Sequence, residues 1–305
     1  MSLRLKTLIA ISVVLLLLTV TSYSVLKTII MDNLLMLEKS DLEQDVRMAV
    51  NILNKEGDRL QALTTDWAVW DDSYAFMGGS NPSFAEENLT YSTLAYLQVN
   101  FILFLAPDGQ PFSSRSIDLP EAQPADIPDS LLEYFASHPQ LLRTAEADAP
   151  LAGLVALPDH PVLLALNPIL TSDGRGPVRG TLVMGRYVDD ALIDQLSKTS
   201  LLNLSIEKLP QAAWPKSKDG ILPNSDNPPL FVVNPLNDDY IEGYVTLNDL
   251  LGKPAVTLHS TAPRTLFKQG KSVIYYTALY NILIALLFGC LTLLIMEKLV
   301  LSRLY

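Results

Sequence analysis

Two long runs without charge, one near each end, set the frame for everything between them. No charged residue interrupts Thr7 to Leu26, which Lys6 and Lys27 bracket, and none interrupts Ser272 to Met296, between Lys271 and Glu297. Each supplies the roughly 20 residues that a membrane-spanning helix needs, so transmembrane helices are expected at 7–27 and 272–296. A cleaved signal peptide is the other reading of the first run, with Ser22-x-Ser24 as its cleavage site. The apolar centre exceeds the usual range of about 7–15 residues and a helical pattern follows at once, which favours a retained anchor. Arg4 and Lys6 put the N-terminus inside by the positive-inside rule, and two spans return the chain to that side. Arg264, Lys268 and Lys271, just outside the second span, run against the rule.

Between the spans, Ile29 to Lys271 holds 32 of the 33 acids and 17 of the 22 bases, a net charge of −15. So acidic a surface argues against a nucleic-acid partner. It suits an exported domain that does not adhere to anionic lipid. Cys290, the only cysteine, lies within the second span, so the exported part is expected to rest on its own core without disulfides. Asn88-Leu-Thr90 and Asn203-Leu-Ser205 match the glycosylation sequon, a pattern frequent by chance.

The inventory does not favour an enzyme. His138, His160 and His259 lack metal-ligand spacing. Gly270-Lys271-Ser272 ends like a phosphate loop, but Thr265 stands where its first glycine belongs. Acid pairs at Glu86-Glu87, Asp189-Asp190 and Asp238-Asp239 read as solvated faces or helix caps. Neither a cofactor nor a metal is expected.

After the first span, Leu35, Leu42, Val46, Ala49, Leu53, Leu60, Leu63, Trp67 and Trp70 recur at spacings of three, four or seven, one face of an amphipathic helix. It is expected to run to about Phe76, stopped by Gly78-Gly79. At about 1.5 Å per residue such a helix projects some 60–70 Å. Leu35, Leu42 and Ala49 also form a seven-residue repeat, the spacing of a seam between two parallel copies.

That helix ends in Asp66-Trp67-Ala68-Val69-Trp70-Asp71-Asp72-Ser73-Tyr74. Trp67 and Trp70 share the leucine face, so they anchor a core. The alternative is that the indoles line a ligand pocket with Asp66, Asp71 or Asp72. Three aspartates so close together do not all face a core unpaired, so at least one is expected on backbone amides or a basic partner.

Strands follow at Asn100–Leu105, Leu151–Leu157, Pro161–Ile169 and Val178–Tyr187. Asp108-Gly109 supplies a hairpin turn, Pro120–Pro128 a connector and Ser130–Arg143 a helix. Ser172–Pro177 joins the last two strands, and Asp189-Asp190 caps a helix at Ala191–Ser200. Further strands at Leu202–Lys208, Leu230–Val233, Tyr240–Leu247 and Lys253–Ser260 suggest a second, smaller copy, interrupted by a proline-rich loop at Trp214–Pro229.

The Asp-Trp-Ala-x-Trp-Asp-Asp-x-Tyr stretch resembles the signature of the fourth type of CHASE domain, the cyclase- and histidine-kinase-associated sensory extracellular family. The resemblance covers about Asp32 to Ser200. It includes Phe101–Gly109, Asn167-Pro168-Ile169 and Gly180–Tyr187, while Ala262-Pro263-Arg264, Lys268-Gln269-Gly270 and Glu297–Arg303 resemble the tails of such receptors. It implies an α+β, two-span membrane protein with a long N-terminal helix and a double PAS-like (Cache) extracytoplasmic sensor. The domains expected are the helix at 28–77, a membrane-distal sensor domain at 78–200, a smaller membrane-proximal one at 201–270, and the start of a cytoplasmic signalling helix at 297–305. Family members continue into histidine kinase or cyclic-di-GMP output domains, so this chain reads as the sensor half of a receptor; a scaffold that regulates a partner is the alternative. A bacterial inner-membrane location with the main domain periplasmic, a homodimer and a small-molecule ligand are implied. Trp67, Trp70, Asp71, Asp72, Tyr74 and Asp189 are the candidate ligand-binding residues, Asp189 because it ends a strand beside the pocket expected in such sensors.

Overall fold

The computed structural model describes residues 3–142, 151–208, 231–296 and 298. The loop expected at Trp214–Pro229 lies outside them, as does the segment 297–305 apart from Lys298. The chain divides into two compact units: Glu43–Val232 with Gly243–Thr261, and Met1–Leu42 with Val233–Glu242 and Ala262–Tyr305.

Helix α1 (Leu3–Ala68) runs unbroken through the first uncharged run and the leucine repeat. In the larger unit its apolar face buries Val46, Ala49, Leu53 and Leu60 in one core with a six-stranded antiparallel sheet. The strands are β1 (Phe101–Leu105), β2 (Pro111–Asp118), β3 (Gln123–Pro124), β4 (Leu151–Ala156), β5 (Pro161–Pro168) and β6 (Thr181–Tyr187), in the order β3-β2-β1-β6-β5-β4. Side chains alternate across a strand, so Ile102 and Phe104 of β1 join Leu182 and Met184 of β6 in the core facing α1. Phe101, Leu103 and Leu105 enter a second core on the opposite face, with Leu131 and Phe135. Every residue of β1 is buried, which explains its uninterrupted run Phe-Ile-Leu-Phe-Leu.

Three short helices, α2 (Asp71–Met77), α3 (Phe84–Asn88) and α4 (Tyr91–Leu97), lead from α1 into β1, and α5 (Asp129–Ser137) follows β3. Helix α6 (Asp190–Ser200) leads to a second sheet of β7 (Asn203–Lys208), β8 (Phe231–Pro235), β9 (Tyr240–Asn248) and β10 (Pro254–Pro263), ordered β7-β10-β9-β8. The β9–β10 turn docks onto β4: Leu250 N–H donates to Leu154 O at 2.8 Å, and the Leu250 side chain fills the hollow left by Gly153. Helix α7 (Thr265–Met296) includes the second uncharged run. Both α1 and α7 are long and apolar enough to cross a membrane.

Four expectations need correction. The helix expected to reach Phe76 breaks at Trp70, whose backbone is extended (φ −138°, ψ 131°). Val69 instead forms a parallel bridge with Leu170, and Leu170 N–H donates to Ala68 O. The repeat of Leu35, Leu42 and Ala49 is not a free seam, because Leu42 and Ala49 are buried within this chain. The helix expected from Ser130 closes at Ser137, since Pro139 has no N–H to continue it. The connector Pro120–Pro128 holds the two-residue strand β3, an edge position that tolerates Pro124.

In the smaller unit, the three bases that run against the positive-inside rule are all paired. Arg264 bonds Glu38, Lys268 bonds Asp239 and Lys271 bonds Asp238.

Candidate functional site

The Trp-Asp stretch sits where α1 gives way to α2. The break at Trp70 frees the Asp71 N–H to donate to Ser172 Oγ (3.1 Å), while Ser172 N–H donates to Asp71 Oδ1 (3.0 Å). Tyr74 extends this clasp on the loop between β5 and β6. Its hydroxyl donates to Pro177 O (3.2 Å), Arg179 Nη1 donates to its carbonyl (2.8 Å), and the Arg179 guanidinium lies 3.8 Å from its ring centre. Gly176 comes so close to the Tyr74 hydroxyl, at φ 97°, that a β-carbon would stand 2.8 Å from it. Trp67 and Trp70 meet edge to face at 6.0 Å, and Trp70 meets Phe84 at 5.5 Å, beside a cluster of Phe76, Phe84, Phe104 and Phe112. Asp72 is exposed in the first turn of α2. Asp71 and Tyr74 thus tie the β5–β6 loop to α2, while Trp67 and Trp70 pack against the core beside them.

Asp189 lies elsewhere, beyond the other end of β6 from that loop. As expected it caps α6, Oδ1 accepting from Leu192 N–H at 2.9 Å. Oδ2 has no hydrogen-bond partner among the described residues. The carboxylate lines a cleft of about 140 Å³ with Gln98, Asn100, Arg186, Tyr187 and Gln195. Each is set by local structure. Gln98 ends α4 in the left-handed conformation (φ 56°). Asn100 is buried at the start of β1, donating to Ile117 O (3.3 Å) and accepting from Tyr187 N–H (2.9 Å), so it ties β2 to β6. Gln195 is nearly two turns into α6 from its cap and accepts from Arg186 Nη2 at 2.8 Å.

Arg186 carries the electrostatics. Only 5 % of it is exposed, and its Nη1 donates to Glu56 Oε1 of α1 at 2.8 Å. Burial alone would raise the Glu56 carboxyl. The hydrogen bond from Arg59 and the charge of Arg186 overcome this and hold it below its ordinary value. Burial, helped by Asp159, pushes the Tyr187 phenol up to about 12.

Sequence reasoning passed over Glu56, Gln98, Asn100, Arg186 and Gln195 as site residues. Two signals were present. Arg186 is the one charge in the otherwise uncharged β6, and Glu56 falls on the apolar spacing Leu53-Glu56-Leu60 of α1. Among the described residues, no three His, Cys, Asp or Glu side chains cluster as a metal site would require. The polar groups lining the cleft are a carboxylate, amides and an arginine already held from two sides.

The larger unit is thus a long helix packed on an antiparallel sheet, with a polar cleft at the sheet's end. Residues 52–207 match the CHASE4 domain, just over half of the chain, and the chain belongs to that family. A similar protein is the methanogenesis regulatory histidine kinase FilI of Methanothrix harundinacea (strain 6Ac). The two are 28 % identical over 261 residues, which is 86 % of this chain and 29 % of FilI, so the chain spans under a third of that kinase. Among solved structures, the chain is similar to the periplasmic domain of Vibrio cholerae LuxQ (TM-score 0.44, 14 % identity, 73 % of this chain and 99 % of that one). It is also similar to the V. cholerae histidine kinase DctB sensor domain (TM-score 0.42, 10 % identity, 75 % and 98 %).

Proposed function

We propose that this sensor module lies outside the cytoplasm between two membrane spans, works as a homodimer and binds a small polar molecule in the cleft at Asp189. The observation that supports the reading is that Asp189, one of whose carboxylate oxygens has no hydrogen-bond partner among the described residues, lines the same cleft as Arg186, which is itself tied to α1 through Glu56. A ligand that bonds Asp189 or Gln195 changes the surroundings of that tie. Occupancy thereby acts on the helix that continues into the first uncharged run. The requirement is unequal affinity for two arrangements of the module: a ligand that binds both equally moves nothing. The volume suits a molecule of few heavy atoms, and the carboxylate selects ammonium or hydroxyl groups. A histidine kinase output, as in FilI, or a cyclic-di-GMP enzyme would receive the change.

The test is a panel of small ammonium- and hydroxyl-bearing compounds, scored by calorimetry on the full chain in nanodiscs. Asparagine caps helices as well as aspartate does, so Asp189→Asn keeps α6 intact and removes only the charge. A hit should lose at least about tenfold in affinity in Asp189→Asn, roughly 1.4 kcal/mol, and keep its affinity in Asp71→Asn. Equal affinity in wild type and Asp189→Asn would move the ligand site away from this cleft.

A further inference from the structure

Within the smaller unit, α1 and α7 run antiparallel in a single register. Phe267 stands opposite Glu38, Gly270 against Leu34, Asn281 against Ser22 and Gly289 against Leu15. Over most of that length the contacts are apolar or small. Gly270 admits the Leu34 side chain where a β-carbon would stand 2.1 Å from it, and Leu15 lies 3.6 Å from the β-position of Gly289. Contacts of this kind hold helices together without naming one axial position, because a slipped pairing offers similar ones. The Asn281–Ser22 bond, at 3.4 Å, is long.

The end beyond the uncharged runs is different. Glu38 and Arg264 are 6 % and 4 % exposed. Arg264 Nε donates to Glu38 Oε2 at 3.1 Å, and its Nη1 donates to Asn237 O at 3.1 Å. The guanidinium lies 3.7 Å from the centre of the Phe267 ring. The other carboxylate oxygen, Oε1, accepts from Phe267 N–H at 2.9 Å. Arg264 immediately precedes α7, where a Ser, Thr or Asp would normally cap the helix, and arginine has no acceptor to offer. Glu38, 229 residues before Phe267 in sequence, does that work from α1.

We infer that the Glu38–Arg264 pair is a register lock: it fixes the axial position of α7 against α1 and so makes the two membrane helices respond as one to movement above them. Stability alone does not account for the pair. A buried ion pair is often no more stabilising than apolar residues of the same size, and this one leaves Arg264 Nη2 buried with no hydrogen-bond partner among the described residues. What such a pair does supply is a unique register, because a one-residue slip of about 1.5 Å, with its 100° rotation, breaks all of these bonds together. The lock does not depend on where, or whether, the cleft binds ligand.

Native Cys290 provides the readout, since it lines a groove with Ser12, Leu15, Leu16 and Thr19. Single cysteines are placed at those four positions of the full chain in nanodiscs, and mild oxidation forms disulfides within one chain. The rates should differ by at least about tenfold between the best and worst positions, roughly 1.4 kcal/mol. In the double variant Glu38→Met/Arg264→Met that preference should fall below about threefold, while the melting temperature stays level or rises, as neutral replacement of a buried pair allows. If the double variant does not fold, Glu38→Gln, which keeps an acceptor for Phe267 N–H, is read in the same way. An unchanged position profile in the folded variants overturns the lock, whatever happens to the melting temperature.

Discussion

Replacing Glu56 tests how the larger unit holds α1 to its sheet. The Glu56 carboxylate receives two arginines in different settings. The Arg186 side chain is 6 % exposed and 2.8 Å away; the Arg59 side chain is 40 % exposed and 2.7 Å away. Taking away the carboxylate leaves Arg186 as a buried cation, a loss of about 3–5 kcal/mol in comparable cases. Gln195 still accepts from Arg186, so the lower end, about 3 kcal/mol, is expected for Glu56→Ala. Arg59→Ala removes only the exposed partner and should cost about 1 kcal/mol or less. For a unit of this size, about 2–4 °C per kcal/mol gives a drop of roughly 6–12 °C for the first variant and under about 4 °C for the second. Fluorescence of Trp67 and Trp70, both in the larger unit, follows the melt in the full chain. Acid should reproduce the effect. Because the folded carboxyl is held below its ordinary value, its stabilisation is complete above the ordinary carboxylate range and is lost as pH falls through the folded value. The gap between wild type and Glu56→Gln should therefore narrow from pH 6 to below about pH 4. If Glu56→Ala melts no lower than Arg59→Ala, or the gap does not depend on pH, the carboxylate is not what holds Arg186.

Gly180→Ala should cost about 2–4 kcal/mol in denaturant titration, because Gly180 has φ 150° and a β-carbon would stand 2.2 Å from Leu105 O; a loss below about 1 kcal/mol would mean that the strand start relaxes. Asp71→Ala should cost about 1 kcal/mol by removing the acceptor of Ser172 N–H. Asp71→Asn should be near neutral, and thermal melts that rank the two equally would remove the clasp. A cysteine at the exposed Ser114 on β2 should react with an impermeant maleimide in intact cells if Ile29–Lys271 is outside; labelling only after lysis would reverse that topology.

What could be read from the sequence was what short-range periodicity encodes. The apolar face of α1, the doubly buried β1, the Asp189 cap and the two uncharged helices all leave a pattern within a few turns or one strand. The break at Trp70 leaves none, because its cause is a bridge from Val69 to Leu170, 101 positions away. The heptad at Leu35, Leu42 and Ala49 was legible as a stripe but not as to its partner: the same spacing serves a second copy or the chain's own core, and here Leu42 and Ala49 are buried within the chain while Leu35 is exposed. The Trp-Asp signature was open between anchor and pocket for a related reason. Only the positions of Ser172, Pro177 and Arg179 reveal that Asp71 and Tyr74 are engaged on a loop.

One spacing recurs in each of the two units. Leu35-Glu38-Leu42 and Leu53-Glu56-Leu60 share a spacing of three and four, so each places one acid on the apolar face of α1. In each unit that acid meets an arginine at the far end of a strand, just ahead of a helix: Arg186 closes β6 before α6, and Arg264 follows β10 before α7. An apolar side chain at either acid would have been the simpler way to fill the face, and leucine is the rule there. A carboxylate is the costlier choice, since it must find donors or lose its hydration uncompensated. Its advantage is direction. Leucine packed on leucine slides with little resistance, whereas a carboxylate held by two or more donors resists axial movement and rotation together. A receptor that must pass a small displacement along one helix needs that resistance where the helix receives the displacement and where it hands it on. Under the signalling role proposed above, Glu56 and Glu38 would be those two points.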